Sequence, residues 1–253
     1  GLGDVYKRQA IATRLTAEIQ GLEIASRNVA DGQSLVDTAE GALQETHTLL
    51  LRMREIGVQA ANGTLSTSDN QALDAEFQQL VKEIDRIAQN TTWAGAALLN
   101  GDGGTVDTSE TFSFQAGVGN NSGADVFDVT VKNADSTTLD IYVAQTNNGV
   151  TSNSVGLLSQ SGAQTAIGLV DTAIATVSSE RANLGAVSNR MASTMANLDQ
   201  IRVNLTASKG RIADADFAAE TANLAKGQIL QQAATAMLAQ ANASKQQVLT
   251  LIR

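Results

Sequence analysis

Few residues in this chain could do chemistry. Of 253 residues, one is a histidine, His47, and none is a cysteine. An HExxH zinc motif needs two histidines, and a thiolate metal site needs cysteines, so neither can be built. The same count excludes a Ser-His-Asp triad anywhere but at His47. That residue follows Gly41 and Leu43 on a helical stretch and reads as a solvated or seam-flanking side chain. Asp214 and Asp216 stand two apart, as paired acid–base carboxylates could, but capping of the helix that follows explains them better. The Gly101-Asp102-Gly103-Gly104 turn lacks the Lys-Ser/Thr continuation of a phosphate loop. The triplet Asn90-Thr91-Thr92 is an acceptor pattern expected by chance. These residues point to no catalytic site, no metal and no cofactor, so the expectation is a protein that is not an enzyme.

The elements that would position such residues are more informative. Hydrophobic residues make up 43% of the chain but aromatics only 3%, so the core must be mostly Ala, Leu, Ile and Val. Proline is absent, although usage of about 5% would predict roughly a dozen, and nothing is placed to break long helices. A net charge of −9 argues against nucleic acid, which needs clustered cations to neutralise phosphates. No run approaches about 18 apolar residues, so membrane insertion is not expected, and no cleavable signal peptide is visible.

From Leu15 a seven-residue rhythm runs through Leu22, Val29, Val36, Leu43 and Leu50, with Gly57 in the next place. Three residues on stand Glu18, Ala25, Gly32, Ala39, Thr46, Met53 and Ala60, mostly small. One large and one small residue per heptad make a seam that a partner helix can approach closely. The pattern predicts a helix from Ala10 to Ala61, about 75 Å long. Asn62-Gly63 ends it. Ser68, three before Gln71, has capping-box spacing and announces a second helix with Leu73, Phe77, Leu80, Ile84 and Ile87 in a 4-3-4-3 pattern. The short connection predicts an antiparallel pair.

Residues 101–160 alternate instead. Phe112-Ser113-Phe114 and Val126 to Val131 predict a small β-hairpin closed by the turn cluster Gly117 to Asp125, and Leu139 to Val143 reads as a third strand. The heptad returns at Val170, Val177, Leu184, Met191, Leu198 and Leu205, and Gly210 interrupts it. A last helix carries Phe217, Thr221 and Leu224, then shifts phase to Leu230, Ala234, Met237, Ala241, Val248 and Ile252, a shift that resembles a stutter. From Ile229 to Ile252 its apolar residues spread around much of the circumference, which demands partners on more than one side. The first three helices leave none to spare, so this helix is expected to serve assembly.

The fold expected is mainly α: a long antiparallel coiled-coil or helical-bundle rod with a small β-hairpin and a C-terminal helix. Its divisions are 1–9 (GLGDVYKRQ, read as a foreign junction because it fits no later pattern), 10–100, 101–160, 161–209 and 210–253.

Five blocks then resemble bacterial flagellin, in the family's order: Ile19 to Glu45, Leu50 to Thr64, Glu76 to Gly101, Ser179 to Met191 and Arg211 to Asn242. The resemblance implies an α-helical rod domain with a hairpin, built from both halves of the chain, and an inner domain that pairs the terminal helices. It implies an extracellular filament subunit, exported through the flagellar secretion apparatus and added beneath a cap, with self, an export chaperone, and hook-associated and cap proteins as partners. The polymerisation and chaperone residues expected are Ile229, Leu230, Met237, Leu238, Val248, Leu251 and Ile252. Arg52, Ile56 and Glu76 match the surface that the animal innate receptor contacts in the family; Arg52 and Ile56, four apart, would share a helix face.

One departure is an N-terminal segment of some forty residues, ending near an SGLRINSAKDDAAGL-like block, which the family carries before Ala10-Ile11-Ala12-Thr13. This makes the chain an N-terminally truncated flagellin by expectation, folding its rod but polymerising poorly. Another is Ser244-Lys245-Gln246, where many relatives carry a proline turn. The alternatives are a hook-filament junction protein, or a secreted coiled-coil binding module or innate-immune ligand. A flagellin with an inserted protease domain does not fit a middle so short and poor in histidine.

Overall fold

The structure is a computed structural model that describes residues 2–100, 109–121, 123–142, 156–214 and 217–251. Four helices dominate them: α1 (Leu2–Ala60), α2 (Thr67–Asn90), α3 (Gln160–Ala213) and α4 (Phe217–Leu251). Two antiparallel ladders lie between α2 and α3. One pairs β1 (Thr92–Trp93) with β2 (Ala96–Ala97); the other pairs β3 (Glu110–Gln115) with β4 (Val126–Val131). The chain divides into two compact units, Ala17–Asn204 and, separately, Gly1–Thr16 with Leu205–Arg253.

In the larger unit the seam of α1 is buried as its heptads predict, from Leu22 through Ala25, Val29, Val36, Ala39, Leu43, Leu50 and Met53 to Ala60. A third row joins it: Leu35 and Ile56, one place before Val36 and Gly57, are equally buried. Two rows suffice for one partner helix, whereas a helix with neighbours on two sides buries a wider arc. Gly32 marks a close approach to α3 and the hairpin. A Cβ there would stand 2.8 Å from Met191 Cε and 3.1 Å from the Phe114 ring.

Helix α2 begins two residues earlier than the Ser68 spacing implies. Its N-cap is Ser66, whose side chain accepts from the Asp69 N–H while the Asp69 carboxylate accepts from the Ser66 N–H at 3.0 Å, a reciprocal box. Ser68 therefore lies inside the first turn. The buried stripe is Asp74, Phe77, Val81, Ile84 and Ala88, rotated from the predicted one, so Leu73, Leu80 and Ile87 sit half-buried at its edge. The two-residue loop of the first ladder, Ala94-Gly95, has φ of 49° and 88°. Positive φ at both places matches the right-handed twist of the flanking strands.

The β3–β4 hairpin holds the predicted alternation. Phe112 faces Val129 and Phe114 faces Phe127 on the inner side; outside, Ser113 Oγ donates to Asp128 at 2.6 Å and the Thr111 and Thr130 hydroxyls meet at 3.2 Å. The expected third strand is not one over its described part. Residues 136–140 form turns, with the Leu139 N–H donating to the Asp135 carbonyl at 3.0 Å and Asp140 at φ 56°. A left-handed residue cannot continue a pleated strand, although Leu139 and Ile141 are still buried.

Gly210 does not interrupt α3, which runs to Ala213. Residues 1–9, set apart in sequence as a junction, are helical from Leu2 onward and continuous with α1.

Candidate assembly surface

Of the residues that could have done chemistry, His47 is half-buried on α1 and Asp214 is exposed, its N–H bonded to the Gly210 carbonyl at 2.8 Å. The Gly101 to Gly104 turn and Asp216 lie outside the described residues. Asn90, far from marking an acceptor loop, closes α2: its Nδ2 donates to the Arg86 carbonyl at 2.8 Å. Among the described residues no three His, Cys, Asp or Glu side chains converge as a metal ion would require, and no helix is long and apolar enough to cross a membrane.

Arg52 and Glu76 do meet. The Arg52 guanidinium donates to Glu76 Oε1 through Nε at 3.1 Å and Nη2 at 2.7 Å, and through Nη1 to Glu55 at 3.1 Å. These bonds, Glu76 first, hold the guanidinium protonated even beyond its ordinary range. Ile56 does not join them. It belongs to the third buried row of α1 and is 1% exposed, because the arc that faces two neighbouring elements turns it inward while Arg52 stays at the rim. Spacing by four brings two residues to one side of a helix, but does not fix which of them lies above the edge of the core.

The polar fastening of the larger unit was not visible in sequence. Arg181 of α3 grips Glu40 of α1 through Nε at 3.0 Å and Nη2 at 2.7 Å, and Arg54 reaches Asp171 at 2.6 Å. Three carboxylates hold the segment between β2 and α3 by its backbone. Buried Asp74 accepts from the Leu157 N–H at 2.8 Å and from Gln78 Nε2 at 2.6 Å. Asp85 accepts from the N–H and Oγ of Ser136 at 2.8 and 3.0 Å. Buried Glu180 accepts from the Lys132 N–H at 3.2 Å. Acidic residues on the apolar stripes of Phe77 and Leu184 were the available sign, since a buried carboxylate must be satisfied.

The residues expected to polymerise lie on α4. In the smaller unit Ile229, Leu230, Met237 and Leu238 are 60–71% exposed, and Leu224 is 63% exposed. Val248 and Leu251 fall in the helical part of α4 whose side chains are not described, and Ile252 lies outside the described residues. An exposed helix carrying this many large aliphatic side chains presents an apolar surface of the kind that marks an interaction site.

Comparison with known proteins gives that surface its context. The model of the bacterial flagellin N-terminal helical region matches residues 7–103, and that of the C-terminal helical region matches residues 167–252. A flagellin of Halalkalibacterium halodurans is 41% identical over 251 residues, 99% of this chain and 86% of the relative. A flagellin of Bacillus subtilis is 40% identical over 273 residues, 99% and 87%. Among solved structures, Bacillus cereus flagellin matches at a TM-score of 0.54 with 31% identity, covering 68% of this chain and 88% of that one. With both helical regions matched in order, on a fold of long helices around a small hairpin, the chain belongs to the bacterial flagellin family.

Proposed function

We propose that this flagellin serves as the structural subunit of the flagellar filament and that burial of α4 between neighbouring subunits drives its polymerisation. The carrying observation is the exposure of Leu224, Ile229, Leu230, Met237 and Leu238 on one helix. Each such side chain gains about 1.5–3 kcal/mol on full burial. Together they can offset the several kcal/mol lost when a subunit is immobilised.

The rest of the life cycle follows from the same helix. A chain without cysteine or proline can thread a secretion channel free of crosslinks, and it refolds without slow prolyl isomerisation. Before assembly α4 needs a cover, the task of an export chaperone. Growth then takes place outside the cell, beneath a cap protein and on a base of hook-associated proteins. Contact with a host innate receptor would rest on Arg52 and Glu76, with Ile56 acting from beneath.

The test is deletion of Gln228–Arg253 from the full-length protein, followed by electron microscopy. Loss of filaments is expected, and filaments from the deletion would remove α4 from this role. Sedimentation of the intact protein separates the alternatives: an open-ended polymer marks a filament subunit, whereas a hook-filament junction protein or a binding module stops at a fixed size.

A further inference from the structure

The turn between α1 and α2 carries Asn62-Gly63, just past the end of α1 at Ala60. Asparagine is a thermolabile residue, and its stability depends on what surrounds its side-chain amide and the next peptide nitrogen. Asn62, Gly63 and Thr64 are all exposed. The Asn62 side chain folds over the peptide that follows it, its Oδ1 accepting from the Thr64 N–H at 3.3 Å. Its main-chain carbonyl accepts from the Leu65 N–H, also at 3.3 Å. Among the described residues, neither the Gly63 N–H nor Asn62 Nδ2 makes a hydrogen bond. Glycine also places no Cβ beside that nitrogen.

Other asparagines are held or shielded. Asn28 and Asn90 donate Nδ2 to the carbonyls of Gln115 and Arg86 at 3.0 and 2.8 Å. Asn70 is fixed in the first turns of α2, its N–H bonded to the Ser66 carbonyl at 3.1 Å. Asn121 makes the same kind of turn as Asn62, its Oδ1 accepting from the Gly123 N–H at 3.1 Å, but a serine, Ser122, follows it. The dipeptide recurs at Asn100-Gly101 and Asn148-Gly149, with both glycines outside the described residues.

We infer that Asn62 is a site of spontaneous deamidation in the folded chain, with water as the co-reactant. The Gly63 nitrogen attacks Asn62 Cγ and closes a succinimide ring. The Cγ–Nδ2 bond breaks, and its electron pair leaves on the departing nitrogen, which takes up the proton lost by Gly63 and is released as ammonia. The Thr64 N–H faces the oxygen on which negative charge gathers at this step, as a donor in an oxyanion hole does. Water then opens the ring. Addition at Cγ leaves an aspartate side chain at position 62. Addition at the main-chain carbonyl carbon leaves an isoaspartate, in which the chain runs through the former side chain and is one methylene longer. Either product adds a negative charge to the turn. The isoaspartate also displaces the carbonyl that holds the Leu65 N–H, on the stretch that leads into the Ser66 cap of α2.

The experiment incubates the intact chain in mildly alkaline buffer, which helps the attacking amide shed its proton, and follows it by tryptic mapping. Asn62 and Asn70 share the tryptic peptide Glu55–Lys82. Tandem mass spectrometry is expected to show a gain of one mass unit at Asn62, faster than at Asn121 and with Asn70 unchanged. An isoaspartyl methyltransferase should label the same peptide. Gly63→Ala is the control. The atom nearest its added Cβ is Gln160 Nε2 at 3.8 Å, and the backbone there is not left-handed. Melting is therefore expected to stay that of the wild type, while crowding at the nitrogen removes most of the conversion. Asn62→Gln, whose longer side chain must close a larger ring, should lose the methyltransferase label from this peptide as well. Conversion at Asn62 no faster than at Asn121, or undiminished in Gly63→Ala, would overturn the inference, as would an Asn62 that stays an amide throughout.

Discussion

Two helices of this flagellin carry the same seam and meet opposite fates. On α3, Val170, Val177, Leu184 and Met191, spaced by seven, are at most 1% exposed. On α4, Leu230 and Met237 keep the same spacing and are 60% and 71% exposed. Residue type and period are alike, so neither decides burial. What differs is whether the chain itself supplies a facing surface. The α3 seam is met at Met191 by Gly32 of α1, which Phe114 of the hairpin also approaches, and its energy is spent on folding. The seam of α4 stays exposed, and in the function proposed above it serves association.

The comparison breaks most sharply at Phe77, fully buried on α2. Phe77→Ala removes a large side chain from a packed core and is expected to lower the unfolding free energy by about 3–5 kcal/mol, read by urea denaturation. Met237→Ser on α4 is expected to leave the urea midpoint within about 0.5 kcal/mol of wild type, as surface changes do, yet to impair filament growth. Equal losses of stability from both would erase the distinction between a folding seam and an assembly seam.

A smaller effect separates polar fastening from apolar packing. Asp74→Ala leaves the Leu157 N–H without its acceptor in a buried place. It is expected to cost about 1–3 kcal/mol, with amide exchange rising first at Leu157 and Gln160 while the Phe77 stripe stays protected. Uniform loss of protection would mean that Asp74 acts through the core and not through the segment it holds.

These anchors explain what could be read from sequence and what could not. The seams of α1 and α3 were legible because a heptad is a local property, repeated often enough to outweigh chance. The exposed set on α4 was legible for a related reason: its apolar residues exceed what three helices can cover. The third row of α1 was not, because whether Ile56 lies above or below the rim depends on where α2 and α3 stand, which no spacing within α1 records. The strand expected at Leu139 failed on one residue, Asp140, whose left-handed backbone turns the chain. The cap was misplaced because Ser66-x-x-Asp69 and Ser68-x-x-Gln71 compete, and the reciprocal bonds of the charged pair win.

That cap supplies the mildest test, on the larger unit alone. The Asp69 carboxylate accepts from both the hydroxyl and the N–H of Ser66, the hydroxyl foremost, and is held below its ordinary value of 3.8. Glu83 is likewise held low by Arg86. A folded-state pKa that lies below the unfolded one adds stability above the unfolded value, and that stability fades as pH falls through the folded one. The first turn of α2 should therefore fray only below about pH 4, seen as faster exchange at Asn70 and Gln71. Asp69→Asn should remove that dependence at Asn70 and leave the seam of α1 untouched. If the acid fraying survives in Asp69→Asn, its source lies elsewhere, with Glu83 the next carboxylate to replace. If α1 frays in step with α2, the two helices open as one body, and the cap has no separate hold on where α2 begins.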